Sequence, residues 1–245
     1  MTTITALEKP EFAHSQQLVF FVDLLGSSAV VSGSHPQRVE SLTQMLHDVS
    51  LAKRNFDITK AKSFRNEVIF AMPAISTFSD NVLISFNIDE MSTEMDSPIK
   101  EAFWVAQTLI GRLALDALRI GFLIRGGATL NSLYHHEGVA IGQGLIEAYN
   151  LERKVSHYPR IAVSRKIYSR GSFEEIVTDE DGVKHFDYMS ELLRLISDPA
   201  RLEVAIQQAK KNVEYFEERE EWNQMSKWVW MFKKLEDEKR QRALP

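Results

Sequence analysis

The sequence predicts an α+β domain in which strands and helices follow one another irregularly, ended by a charged helical extension. Three observations carry this. Residues 17–25 (QLVFFVDLL) form an apolar run broken by one acid and stopped by Gly26, the pattern of a buried central strand. Residues 36–54 and 99–118 repeat apolar side chains at three- and four-residue spacing, the period of a helix packed on one face. From Asp198 onward the chain turns strongly charged, with Val204, Phe216, Trp222 and Trp228 interleaved, as in a helix packed on its own domain or on a partner.

Between these landmarks, two extended segments, 67–72 and 77–86, are separated by Pro73 and read as a hairpin with a polar corner. Residues 89–98 are acidic and polar and read as a loop. Residues 120–130 give a third strand, in which Gly126-Gly127 mark a close approach of backbone. Residues 137–144 form a short Gly-punctuated strand or turn, 145–157 a helix, and 160–163 a further strand. The order is not that of a doubly wound repeat. The chain divides into an N-terminal tail (1–16), a central domain (17–197) and a C-terminal helical extension (198–245) that packs on the domain or across a dimer.

Composition narrows the chemistry. With 245 residues and 44% hydrophobic side chains there is material for one sizeable core. A net charge of −5 provides no global basic field for nucleic acid. The absence of cysteine removes disulfides, thiolate metal sites and cysteine nucleophiles. No apolar run approaches the roughly 20 residues of a membrane helix, and the first residues lack a signal-peptide pattern, so a cytoplasmic protein is expected.

Asp23 first demands explanation, because an ionised carboxylate inside an apolar strand is costly unless it meets a cation or donors. Asp80, before the apolar run Val82-Leu83-Ile84, is the second such acid. Each alone is equally consistent with a carboxylate capping a turn; together, on neighbouring strands, they can share divalent ions. His135-His136 invites a metal reading, but adjacent residues on a strand point to opposite faces, so a solvated pair is expected. Ser79, Ser85 and Thr129 show no base partner for a hydrolase triad.

At these residues the chain resembles the class III nucleotide cyclases. The resemblance rests on Phe21-Val22-Asp23-Leu24-Leu25-Gly26, on Phe78-Ser79-Asp80-Asn81, and on Ile124-Arg125-Gly126-Gly127 running through Gly138-Val139-Ala140-Ile141-Gly142 into Ala148-Tyr149-Asn150-Leu151-Glu152. It implies a ferredoxin-type antiparallel sheet with packing helices. It also implies that Asp23, Asp80 and the backbone carbonyl of Leu24 coordinate two Mn²⁺ or Mg²⁺ ions. Phe20 and Phe21 would lie near the base or sugar, although strand alternation sends only Phe21 the same way as Asp23, and core packing is the simpler reading for both.

The departures from the family pattern are informative. The positions that read purines align with Ser76 and Val139, and the asparagine and arginine of the catalytic helix align with Ile146 and Asn150. Asn150 remains a nucleotide-binding candidate without charge. Arg125 is the candidate catalytic cation; Arg153 and Arg160 are alternatives for which surface salt bridges are expected. This combination resembles the bacterial pyrimidine cyclases of the Pycsar antiphage systems. That likeness implies conversion of UTP (or CTP) to the cyclic monophosphate and pyrophosphate, in a homodimer with sites at the interface, and a product that acts on a separate effector protein. It implies neither a nucleic-acid nor a membrane partner. The rivals are another two-metal palm-like domain and a cyclase-fold nucleotide sensor that has lost catalysis.

Overall fold

The computed structural model describes residues 14–33, 36–55, 72–91 and 97–243. Along the chain these form β1 (Ser15–Leu25), α1 (Ser27–Ser32), α2 (Pro36–Asn55), β2 (Ala74–Phe78), β3 (Asn81–Asn87), α3 (Pro98–Arg119), β4 (Leu123–His136), β5 (Val139–Ile141), α4 (Gln143–Val155), β6 (Ile161–Val163), α5 (Arg165–Tyr168), β7 (Ile176–Thr178), β8 (Lys184–Phe186), α6 (Met189–Leu195), α7 (Pro199–Glu217) and α8 (Trp222–Ala243). The architecture is α+β, with one sheet in the order β2-β3-β1-β4-β6-β8-β7 and β5 paired to β4.

β1 is an interior strand of this sheet because its apolar run is suited to burial on both faces. It pairs antiparallel with β3 on one side and β4 on the other. Alternation then sorts its side chains. Leu18, Phe20, Val22 and Leu24 enter the main core beneath α3, where Phe20 packs against Phe86, Phe103 and Phe186. Val19 and Phe21 face the other side and pack with Leu83, Leu133 and Ala148 of α4.

The sheet departs from the all-antiparallel expectation at one pair. β4 and β6 run parallel, because the intervening α4 returns the chain to the same edge, the connection that parallel strands require. Ser156 secures this junction by donating to the Gly126 carbonyl (2.6 Å) and accepting from the Ala162 amide (3.1 Å).

Several expected boundaries move. Phe78 pairs with Asn81, so the hairpin turn falls at Ser79-Asp80, inside the segment expected to be one strand, with Ser79 in the left-handed region (φ 55°). The expected 67–72 segment lies outside the described residues except for Met72. β4 runs six residues past the expected end at Leu130, because Glu137-Gly138, both at positive φ, fold it into a hairpin with β5. The extension is two helices. Asp198 caps α7 by accepting from the Ala200 and Arg201 amides, and Pro199 takes the position where a missing N–H costs nothing. Leu202, Ile206, Trp228, Met231 and Leu235 of α7 and α8 are buried in the main core, whereas Val204 and Trp222 are exposed. Among the described residues no helix is long and apolar enough to cross a membrane.

Arg160 corrects the expectation of a surface salt bridge. It is 1% exposed, bonds Asp181 through both terminal nitrogens (2.8 and 2.6 Å) and reaches Asp179 (3.1 Å). Lys234 of α8 also bonds Asp179 (3.1 Å). The acids come from the loop between β7 and β8, which nothing near Arg160 in sequence announces. The result is a clamp around a buried arginine, between the last strands and the C-terminal helix.

Gly127 is where α4 crosses β4. A Cβ there would run into the Ala148 carbonyl oxygen and lie 2.7 Å from Leu151 Cβ. Gly127→Ala should therefore push α4 off the sheet and lower stability by about 1–3 kcal/mol, the usual cost of overpacking. Urea unfolding of the full chain checks this; a loss below about 0.5 kcal/mol would mean that the helix is not seated against the strand.

Candidate functional site

The sheet's inner geometry supplies the cation that Asp23 requires. Arg125 on β4 stands directly opposite Asp23 in the register, so the two side chains share a face. Arg125 Nε donates to Asp23 Oδ2 at 3.1 Å, and Arg125 Nη2 lies 2.6 Å from Glu152 Oε1 on α4. One guanidinium thus lies between two carboxylates from different elements. The close crossing at Gly127 brings α4, and with it Glu152, down to this level.

The environment disfavours charge on both acids. Burial pushes the Asp23 carboxyl above its ordinary range despite the guanidinium of Arg125 beside it, and the nearby Asp80 charge adds to the rise. Burial likewise raises Glu152, with Arg125 opposing and Asp23 reinforcing the shift.

Asp80 reaches the same end of β1 by way of the β2–β3 turn. Its backbone carbonyl accepts from the Leu24 amide (3.1 Å), and its carboxylate accepts from the Ser27 hydroxyl and from Asn81 Nδ2 (3.1 Å). The left-handed Ser79 turns the chain so that Asp80 meets the start of α1 just past Gly26.

A cavity of about 520 Å³ opens beside this group, lined by Phe21, Asp23, Phe78, Asn81, Arg125, Leu145, Ile146, Tyr149, Glu152 and Arg153. Phe21 stands edge-on to Tyr149, with ring centroids 5.6 Å apart, and lies 6.0 Å from Phe78. The cavity therefore combines an aromatic wall with a charged floor. A larger cavity of about 630 Å³ between α2 and α3 has Ile75, Ile84 and Leu109 in its lining and lies on the other face of the sheet. It is away from this chemistry.

The residues present fit a small divalent cation in kind. Asp23 and Asp80 supply hard oxygen donors, and the repulsion between them is what a cation would relieve. They do not form a complete cage. Among the described residues no three His, Cys, Asp or Glu side chains converge as a metal cluster, so water and phosphate oxygens would complete the coordination.

The other expected site residues divide. Phe21 lines the cavity, whereas Phe20 is fully buried on the opposite face, as strand alternation dictates. The Leu24 side chain is in the core, and its backbone adjoins Asp80. Asn150 is half-buried on α4 and is not part of the cavity lining, while Arg153 lines it and is exposed. His135 is buried rather than solvated. Its ring bridges the hydroxyls of Ser76 and Ser85, each at 2.8 Å, because the long β4 arches across the face of β3. Ser85 therefore does have a histidine partner, but it is 1% exposed and sealed from any substrate.

Sequence reasoning missed Tyr149 and Glu152 as site residues. Both lie in the helix segment that carried the family resemblance, and the signal available was that an acid one helical turn beyond Ala148 follows the face touching Gly127.

Arg125→Met should leave Asp23 and Glu152 facing each other without their shared cation. We expect a loss of about 2–4 kcal/mol at pH 8. With both carboxyl pKa values raised further, the native state binds more protons than the unfolded chain above the ordinary carboxylate range, so stability grows as pH falls through that window. Urea unfolding at pH 8 and pH 5 should show the smaller loss at pH 5. Equal losses at the two pH values would contradict this electrostatic account.

No known family model and no curated protein sequence matches the chain. Among solved structures, it is similar to a bacterial light-regulated adenylyl cyclase, with 14% identity and a TM-score of 0.44 over 75% of this chain and 98% of that one. A second structure of a bacterial light-regulated adenylyl cyclase matches with 13% identity and a TM-score of 0.40, over 75% of this chain and 57% of that one.

Proposed function

We propose that this chain is a nucleotide cyclase that converts a pyrimidine nucleoside triphosphate, UTP or CTP, to its 3′,5′-cyclic monophosphate and pyrophosphate. The observation that carries the reading is that Asp23 and Asp80 lie at the same end of β1, with Arg125 paired to Asp23 and an aromatic cavity lined by Asp23 alongside. The sequence motifs around the two acids point the same way.

In this reading Asp23, Asp80 and the Leu24 carbonyl hold two Mn²⁺ or Mg²⁺ ions. Bound there, the ions would lower the pKa of the ribose 3′-hydroxyl and neutralise the triphosphate. The 3′-oxygen attacks the α-phosphorus, the bond from that phosphorus to the bridging oxygen breaks, pyrophosphate leaves, and the hydroxyl proton passes to solvent. The chain's own side chains position and neutralise. Phe21, Phe78 and Tyr149 wall the cavity where the base or sugar would rest. Arg125 would shift from the carboxylates toward phosphate oxygens as charge develops, and Arg153 supplies a second cation at the cavity.

The pyrimidine preference is supported by what occupies the purine-reading positions. Ser76 has its hydroxyl engaged with His135, and Val139 has no polar group to offer. The homodimer is supported by exposed apolar side chains, Phe78, Ile146 and Tyr149 at the cavity and Val139 and Ile141 on β5. A second copy covering them would complete the site. The antiphage role, with a product that switches on a separate effector, and the cytoplasmic location rest on family likeness alone.

The test is incubation of the purified chain with ATP, GTP, CTP and UTP separately with Mn²⁺, reading products by mass spectrometry. A cyclic pyrimidine monophosphate is expected, and Asp23→Ala or Asp80→Ala should reduce its formation at least about 1,000-fold. A cyclic purine product would overturn the pyrimidine preference. Near-normal turnover in either aspartate variant would overturn the two-metal assignment.

A further inference from the structure

Arg125 already serves as a counter-ion to two carboxylates of the cavity. Its Nε donates to Asp23 Oδ2 at 3.1 Å, and its Nη2 lies 2.6 Å from Glu152 Oε1. All three residues line the aromatic cavity. The side chains of Arg125, Asp23 and Glu152 are 26%, 17% and 5% exposed, so water screens these charges only in part. One Asp23 oxygen is thus engaged by a cation that belongs to the chain. Asp80, the other acid assigned to the metal ions, is held differently. Its carboxylate accepts from neutral donors, the Ser27 hydroxyl and Asn81 Nδ2. A neutral donor leaves a carboxylate its full charge for a metal ion, whereas a guanidinium at hydrogen-bond distance offsets much of it.

We infer that Arg125 is an internal competitor for the divalent cation: it withholds Asp23 and Glu152 from free metal until an anionic ligand draws the guanidinium away. The inference rests on the cyclase reading for the identity of the metal ligands. A divalent ion and a guanidinium drawn to the same carboxylate in a poorly screened site repel each other. The guanidinium is the partner that can yield, because it is the most exposed of the three side chains, whereas Glu152 is seated by the close crossing of α4 at Gly127. A polyphosphate in the cavity offers Arg125 oxygen acceptors in the bidentate geometry that a guanidinium favours. Metal and phosphate then bind with positive, reciprocal coupling, and the site stays weak toward metal alone.

The experiment is Mn²⁺ binding to the full chain, read by electron paramagnetic resonance of the free ion, which needs no turnover. Arg125→Met is expected to bind Mn²⁺ at least about tenfold more tightly than the wild type, because the competing charge is gone. Arg125→Lys keeps the charge and should stay within about threefold of the wild type. Asp23→Asn added to Arg125→Met should abolish the gain, which ties it to this carboxylate. An Arg125→Met affinity equal to or weaker than that of the wild type contradicts the inference, as does a gain that survives Asp23→Asn. Should Arg125→Met fail to fold, Arg125→Gln takes its place, with circular dichroism checking the fold.

Where the wild-type chain cyclises a nucleotide, Arg125→Met should lower kcat and also lower, about tenfold, the Mn²⁺ concentration that gives half the maximal rate. A residue needed only for folding moves the first and not the second. If no variant binds Mn²⁺ in a way that depends on Asp23 or Asp80, the two-metal reading fails and the competition falls with it. If the wild type binds Mn²⁺ through these acids as tightly as Arg125→Met does, only the competition fails.

Discussion

A carboxylate placed in an interior strand of a sheet has hydrogen-bonded neighbours on both sides and cannot turn to solvent at an edge. Asp23 meets this constraint through Arg125, which the β1–β4 register sets directly opposite, and the rest of the site is arranged around that pair. Glu152 of α4 meets the same guanidinium from the helix side, so one cation is shared by two acids. Glu152 reaches that depth only because the sheet beneath α4 is cut back to glycine at 127. The acid in the strand, the cation opposite, the helix above and the missing side chain between them form one dependent chain of requirements.

The two faces of the sheet divide the work. The face beneath α3 is apolar throughout, with Phe20 among Phe86, Phe103 and Phe186, and it supplies rigidity. The face beneath α4 is mixed, and along it polar and charged groups meet in pairs: Asp23 with Arg125, Asp80 with Ser27, and Ser76 and Ser85 with His135. The C-terminal helices belong to this economy as well. α8 contributes apolar residues to the core and Lys234 to the Arg160 clamp.

Much of this was legible in the sequence where the signal is local. An acid within QLVFFVDLL is conspicuous because an unpaired carboxylate in a buried strand is costly, and alternation alone sends Phe21 toward it and Phe20 away. The helical periods of α2 and α3 were equally plain. What stayed hidden depends on contacts distant in sequence. Glu152 looks like any acid on an amphipathic helix until Gly127 brings that helix down. Arg160 looks like a surface arginine because Asp179 and Asp181 arrive from a later hairpin. His135 reads as exposed until the full length of β4 is known. The short elements between residues 165 and 195 carry too few residues for any period to show.

The length of β4 has a consequence for how this protein can change. Its 14 residues are one continuous strand, with Arg125 anchored to the carboxylates near one end and His135 to two serines near the other. Both side chains point to the same face because they occupy positions of the same parity. A single residue added or lost between them would turn one of the two anchors toward the hydrophobic interior. Homologous chains should therefore vary in length in the loops that flank this strand and not within it, except where residues are gained or lost in twos or a bulge absorbs the odd one. The strand acts as a ruler that holds two separate polar clusters to a common count.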